Sequence, residues 1–365
     1  FNLGPFGGWP AFQASESDTI ATALDAAGYR TALIGKYLNG YGGAGLYVPP
    51  GWDRWFAFAG GGAYYNYTIF DDAAGPGPVS YGSRPKDYST DVVRRKAVGF
   101  IRSAPTDAPF FLMVTPFAPH QPVVPAPRHV GAFAGAPVPL RPSVNEVNVT
   151  DKPAYVRARP MVDPEKVRRL TRRRWEMLLA VDEMVSRIVA VLEETGRGSN
   201  TLVIFTSDNG YLLNEHRWQG KLVPYEESIR VPMIVRLPGE IPAGTVSDAL
   251  VSNVDLAPTL ADFAGAPLAA DGVSLRQLLI DEVSFVRSSV VLEHIVGGTT
   301  VPTYCGVRTR SFTFVHYATG EEELYDLTQD PSQLINIALT RPNKATELRD
   351  LTRTLCDPVP PGFSW

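Results

Sequence analysis

The sequence predicts an α/β fold: a mainly parallel sheet sandwiched by helices, followed by a small antiparallel domain. Three observations predict it. Helix-patterned and strand-patterned stretches alternate through most of the 365 residues, which is how a parallel sheet covered on both faces is built. The strand-like runs are short, apolar and ended by glycine or polar residues, as buried strands are. After about residue 285 the texture changes to short strands separated by turns. The expected division is therefore 1–285 for the α/β domain and 286–365 for the antiparallel one.

The elements follow in order. "SESDTIATALDAAGY" has Ser15 three residues before Asp18, a capping-box spacing with Asp in place of Glu or Gln, and sets Ile20, Leu24 and Ala27 on one face. It leads into the strand "RTALIG", which ends at Gly35-Lys36. "DYSTDVVRRKAVGFIRSA" is a second amphipathic helix, and "PFFLMVTPFAPHQP" a strand emptying into a Pro-rich loop that carries His120. Val123 to Val162 is Pro- and Ala-rich with little periodicity; loops of that length are uncommon in compact domains and often functional. Glu165 to Thr195 reads as one long helix, because Val167, Leu170, Met177, Val181, Met184, Ile188 and Val191 recur at helical spacing, with Gly196 as the stop signal. "TLVIF" and "VPMIVRLPG" are strands, and "SNVDLAPTLADFAG" is a helix closed by Gly265. "SSVVLEHIV", "YCGVRTRSFTFVHYA" and "EEELYDLTQDP" supply the terminal strands.

Composition narrows the function classes. With 44% hydrophobic and 20% charged residues the chain buries a sizeable core. The formal charge is −4, and the one basic cluster, Arg168-Arg169 with Arg172-Arg173-Arg174, lies in a helical stretch and reads as a solvated face, so a nucleic-acid partner is not expected. No apolar stretch reaches about 18 residues, which argues against a membrane span. Phe1 to Pro5 has neither the basic start nor the apolar core of a signal peptide. Cys305 and Cys356 both fall in the terminal domain, which allows a disulfide and does not require one. Asn66 and Asn148 head glycosylation acceptor triplets that matter only in a glycosylating host.

Three strand ends carry groups capable of chemistry: Lys36, His120, and the pair Asp208-Asn209 with His216 and Lys221 shortly after. Neighbouring parallel strands would bring them to one rim, where ligands of open α/β sheets sit. Asp and Asn offer hard oxygen ligands suited to calcium or magnesium. Lys36 and Lys221 can hold a tetrahedral oxyanion, and His120 can act as general acid or base. Each residue also has a plain reading: Asp-Asn-Gly as a turn, His120 as a rigid loop residue, Lys36 as solvated, His216 as packing against Trp218.

Together the residues resemble the type I sulfatases of the alkaline phosphatase superfamily. "GYRTALIGKYLNGY", "FAPHQP", "NTLVIFTSDNGYLLNEHRWQGKLVPYEESIRVPMIVRLPG", "NVDLAPTLADFAG" and "ELYDLTQDPSQLINIA" look like that family's successive blocks, from about Glu16 to Asn336. "GKYLNGY", "YVPPGWDRW" and "YYNYT" are most similar to the branch acting on 6-sulfated glucosamine units of glycosaminoglycans. The resemblance implies a sulfuric ester hydrolase of alkaline phosphatase-like fold, with a calcium ion and a sulfated sugar or aryl substrate. It implies that Asp208 and Asn209 are metal ligands, Lys36 and Lys221 hold the sulfate, and His120 stands near the leaving-group oxygen. Asn39 and His216 join the candidate substrate-binding residues. An extracytoplasmic location is the family's habit.

Two departures qualify the match. Many members have a histidine two residues beyond the matched lysine, where this chain has Leu38, and Asn39 is expected to take over part of that role. No Cys-x-Pro-x-Arg or Ser-x-Pro-x-Arg occurs, so the formylglycine nucleophile and the Asp pair of the family's first strand have no counterpart in these residues. The expectation is an inactive fragment of a longer sulfatase, lacking that central strand and left with an exposed apolar slot. A phosphonate or phosphodiester hydrolase of the same superfamily, or a non-catalytic protein that binds sulfated glycans, are the alternatives.

Overall fold

The computed structural model describes residues 7–43, 45–75, 77–281, 287–297 and 299–365. Its first sheet contains β1 (Arg30–Gly35), β2 (Arg54–Phe58), β3 (Tyr67–Asp71), β4 (Pro78–Tyr81) and β5 (Phe110–Thr115), in the order β4-β3-β2-β1-β5. β1 is parallel to both β2 and β5, with Ile34 opposite Phe56 and Val114, while β2-β3-β4 form an antiparallel meander. The expected α/β fold is present, as a mixed sheet with a parallel centre. Strands β2 to β4 come from "RWFAF", "YTIFD" and "PVSY", short runs between glycines that carry little periodicity of their own.

β1 is buried along almost its whole length, and successive side chains serve opposite faces. Ala32 and Ile34 join Phe56 and Phe58 under the helices Ser89–Ser103 and Pro164–Glu194, which contribute Val92, Val93, Ala97, Phe100, Met177, Ala180 and Met184. Leu33 faces the other way, into a cluster of Trp9, Tyr41 and Trp55 packed by Tyr37, Leu38 and Trp52. An aromatic loop thus covers much of this second face, where sequence periodicity points to helices. Asp163 caps the long helix, its carboxylate accepting from Glu165 N at 3.0 Å with Pro164 in the first turn. The first expected helix begins later than Ser15: Thr19 is the cap of Ile20–Ala26, its hydroxyl accepting from Thr22 N while its own N–H donates to the Thr22 hydroxyl.

The apolar run before Asp208 forms β6 (Val203–Phe205). The hairpin β7 (Leu212–Leu213) and β8 (Gln219–Gly220) follows, then β9 (Ile234–Arg236). β6 pairs with β9, antiparallel, and no ladder joins it to β5 among the described residues. Both strands nevertheless lie on one apolar cluster: Phe110, Leu112 and Val203 pack against Val98, Ile101, Val191 and Leu192. Each has a single ladder partner among the described residues, and Met113, Phe205 and Ile234 are exposed.

The terminal unit is an antiparallel sheet of β10 (Ser289–His294), β11 (Tyr304–Thr309), β12 (Phe312–Tyr317) and β13 (Glu322–Asp326). The helix Pro342–Leu355, unread in the sequence, covers one face through Ala345 and Leu348 against Val307, Phe314 and Leu324. A disulfide joins Cys305 of β11 to Cys356 at the end of that helix. The expected boundary at 285 falls outside the described residues.

Candidate active site

Lys36 is placed by the close approach of two strand ends. A Cβ on Gly35 would lie 2.1 Å from the Thr115 carbonyl oxygen, so only glycine lets β1 and β5 run this close. Lys36 N donates to Thr115 O at 2.7 Å, and the Thr115 hydroxyl donates to Lys36 O at 2.7 Å. The Lys36 side chain, half-buried, projects from that clamp.

Asp208 and Asn209 follow β6. Gly210 N donates to Ser228 O at 2.9 Å, and a Cβ on Gly210 would sit 2.0 Å from Glu227 O, so the loop lies flush on the short helix Glu226–Ile229. The β7-β8 hairpin brings the chain back, and Lys221 Nζ donates to Asn209 Oδ1 at 2.8 Å. Asp208 Oδ1 accepts from Asn209 N at 2.8 Å. Asn253 donates to the carbonyls of Ser207 and Asp208, each at 3.1 Å, a support that its place at the start of a predicted helix did not reveal.

These groups share one electrostatic field. Burial pushes the Lys36 ammonium below the usual lysine range, the positive charge of Lys221 pushes it further, and Asp208 partly restores it. Three residues from three strand ends are therefore brought together: Lys36, Asp208 and Lys221, with Asn209 joined through Lys221.

His120 lies on the loop after β5, exposed, with its ring against Phe117. Its Nδ1 lies 2.7 Å from Gln121 O, and because a carbonyl only accepts, Nδ1 carries the proton and Nε2 is left to take or give one. Tyr64 donates its hydroxyl to His120 O at 2.5 Å. The loop reaches the Asp208 side through Gln121, whose amide contacts the Tyr211 hydroxyl two residues beyond Asn209.

Of the two remaining candidates, His216 is placed otherwise than expected. His216 is wholly buried: Nδ1 meets Glu146 Oε2 at 2.7 Å, Nε2 faces Glu227 Oε2 at 3.8 Å, and the ring stacks on Tyr225 with centroids 3.9 Å apart. The expectation that it touches substrate is corrected, since two acidic side chains and an aromatic ring enclose it; it shores up the hairpin that presents Lys221. Nor does it pack on Trp218, whose ring meets Tyr155 instead. Asn39 is half-buried, its carbonyl accepting from Trp9 N at 2.7 Å. Glu146 comes from the long loop Val123 to Val162, which sequence reading could not connect to chemistry. Lys152, from the same loop, lies 3.4 Å from Glu146 Oε1.

Asp208 and Asn209 offer the hard oxygens a calcium ion prefers, and two such donors fall short of the six to eight that calcium takes. Among the described residues the one three-residue cluster with metal-binding spacing is Glu293, Cys305 and Cys356, whose sulfurs are joined in the disulfide.

The Sulfatase family model matches residues 3–266, and that of the C-terminal part of N-sulphoglucosamine sulphohydrolase matches residues 214–357. The chain belongs to the sulfatase family, and its fold is alkaline phosphatase-like. Human N-acetylglucosamine-6-sulfatase is 34% identical over 358 residues, covering 86% of this chain and 64% of the human protein. The N-acetylglucosamine-6-O-sulfatase of Bacteroides thetaiotaomicron is 28% identical over 401 residues, 88% of this chain and 69% of the relative. The chain spans just under two thirds of the mammalian relatives, 64% and 63% of their lengths. A protein solved in complex with its substrate D-glucosamine-2-N,6-O-disulfate superposes with a TM-score of 0.82 at 26% identity, over 93% of this chain and 83% of that one. The phosphonate monoester hydrolase of Agrobacterium radiobacter gives 0.71 at 21% identity, over 93% and 79%, a likeness of fold alone. Among the described residues no helix is long and apolar enough to cross a membrane.

Proposed function

We propose that this chain carries the oxyanion-binding and leaving-group side of a sulfatase site, and that its substrate is a 6-O-sulfated glucosamine unit. The observation that carries the reading is the joint placement of Lys36 and Lys221 beside Asp208 and Asn209. Two ammonium groups that feel each other's charge repel, and an anion bound by both offsets that repulsion. A sulfate ester is such an anion, with three oxygens on which charge builds as the ester breaks. The curated relatives bearing N-acetylglucosamine-6-sulfatase names support the sugar.

In this reading the lysines bind the sulfuryl oxygens. As the sulfur–oxygen bond to the sugar breaks, its electron pair stays on the sugar oxygen, and protonated His120 supplies a proton there from Nε2. Asp208 and Asn209 would hold part of a calcium ion's coordination shell, and the ion when bound would add positive charge against the same oxygens. Cys305 and Cys356 are committed to the disulfide in the terminal sheet, so neither serves as precursor of a formylglycine nucleophile. We therefore propose that the 365-residue chain binds the sulfate group and does not turn it over unaided.

Calorimetry with inorganic sulfate and with glucosamine-6-sulfate tests the binding half, and ion chromatography of released sulfate tests the rest. Binding that is lost in Lys221→Met, with no release, is the expected result. Absence of any binding overturns the reading, and release abolished by Lys221→Met overturns the inactivity.

A further inference from the structure

Arg174 stands apart from its neighbours in the arginine cluster. Arg173 is exposed and Arg172 donates Nε to Ala136 O at 2.8 Å, whereas Arg174 is only 8% exposed. The sequence predicts a solvated face for all of them, and for Arg174 the structure reverses that. Its Nη1 donates to Pro119 O at 3.1 Å, one residue before His120. Its guanidinium carbon lies 4.2 Å from the centroid of the Tyr211 ring, two residues after Asn209. Among the described residues its enclosed Nε has no hydrogen-bond partner and no carboxylate forms an ion pair with the group.

Burying a cation without a counter-ion is unfavourable, because the lost hydration is not repaid by a partner charge. An apolar side chain of similar size would fill the same space without that cost, so what distinguishes arginine here is what it holds. A planar guanidinium can stack on a ring and donate to a carbonyl at once, and a cation–π contact strengthens when it is desolvated. The two things held are the loop carrying His120 and the loop carrying Asp208 and Asn209. Those loops follow β5 and β6, which no ladder joins among the described residues, so strand pairing does not set their spacing. We infer that Arg174 is a positioning residue that sets the loop of His120 at a fixed distance from the loop of Asp208 and Asn209. The catalytic meaning of that spacing rests on the proposed sulfatase reading, while the coupling itself does not.

The test uses the 365-residue chain with 15N-labelled histidine and follows the His120 ring by NMR, alongside thermal melting. Arg174→Lys keeps the charge and removes the stacking plane and fork, Tyr211→Leu removes the ring, and Arg173→Lys is the exposed control. The expected result is displaced His120 ring resonances in Arg174→Lys and in Tyr211→Leu, with the control unchanged and cooperative melting retained. Should Tyr211→Leu fail to fold, Arg174→Lys decides alone. His120 resonances that stay in place in Arg174→Lys overturn the inference. The readout needs no substrate, so an absence of sulfate binding, which would remove the sulfatase reading, leaves this result standing.

Discussion

Lys152→Met is the substitution whose cost can be worked most directly from the structure. Lys152 is 1% exposed and comes from the long Pro-rich loop. Its ammonium lies 3.4 Å from Glu146 Oε1, donates to Gln333 O at 2.5 Å and to the Tyr325 hydroxyl at 3.0 Å, and sits over the Tyr325 ring. Among the described residues Glu146 Oε1 has no hydrogen-bond partner, so this ammonium is its compensation, while Oε2 holds His216. Removing one member of a buried pair costs about 3–5 kcal/mol, because the other charge is left behind. Methionine matches the lysine stem in size, so the cavity contribution is small and the loss should fall within that range. In Lys152→Met/Glu146→Gln the orphaned charge is gone and the amide can still accept from His216, so about 1–2 kcal/mol should return. Urea denaturation followed by tryptophan fluorescence gives both numbers. A loss below about 1 kcal/mol in the single variant would refute the view that Lys152 neutralises Glu146, and with it the chain of contacts from the terminal sheet to the Lys221 hairpin.

Other outcomes follow from the same contacts. Lys221→Met should raise the Lys36 pKa, since it removes a charge that lowers it, and Asp208→Asn should lower it further; NMR titration of 13C-methylated lysines reads both, and an unmoved Lys36 would break the proposed pairing. At Glu322 burial alone would raise the carboxyl, but hydrogen bonds from Arg349 and His316 bring it from its ordinary 4.5 down to about 2. Its stabilising contribution is therefore present above about pH 4.5 and lost as pH falls toward 2, so Glu322→Gln should flatten stability over that acid window, measured by denaturant midpoints. Phe205 faces Ile234 across the β6-β9 ladder, 36% and 62% exposed, beside a strand edge that no described residue pairs. Ile234→Lys should lower self-association in light scattering, and an unchanged profile would show that another surface drives it.

The alternation of helix and strand patterns, the β1, β5 and β6 strands and the long helix were legible because each writes its burial into a local period or an unbroken apolar run. The candidate residues Lys36, His120, Asp208, Asn209 and Lys221 stood out as strand-end residues and as motif matches, and the structure draws Lys36, Asp208, Asn209 and Lys221 into one field. Strands β2 to β4 were not, because runs of four or five residues between glycines take their conformation from the neighbouring strand rather than from their own spacing. Nor does sequence distinguish Arg174 from Arg173: adjacent on a helix, they point about 100° apart, and only packed loops make one of them buried. His216 shows the same limit, since Glu146, 70 residues away in a loop without periodicity, encloses it with Glu227 and Tyr225. Local pattern thus determined the elements and the chemical types at their ends. Tertiary packing decided which charges share a buried field, because that depends on distances between segments remote in the chain.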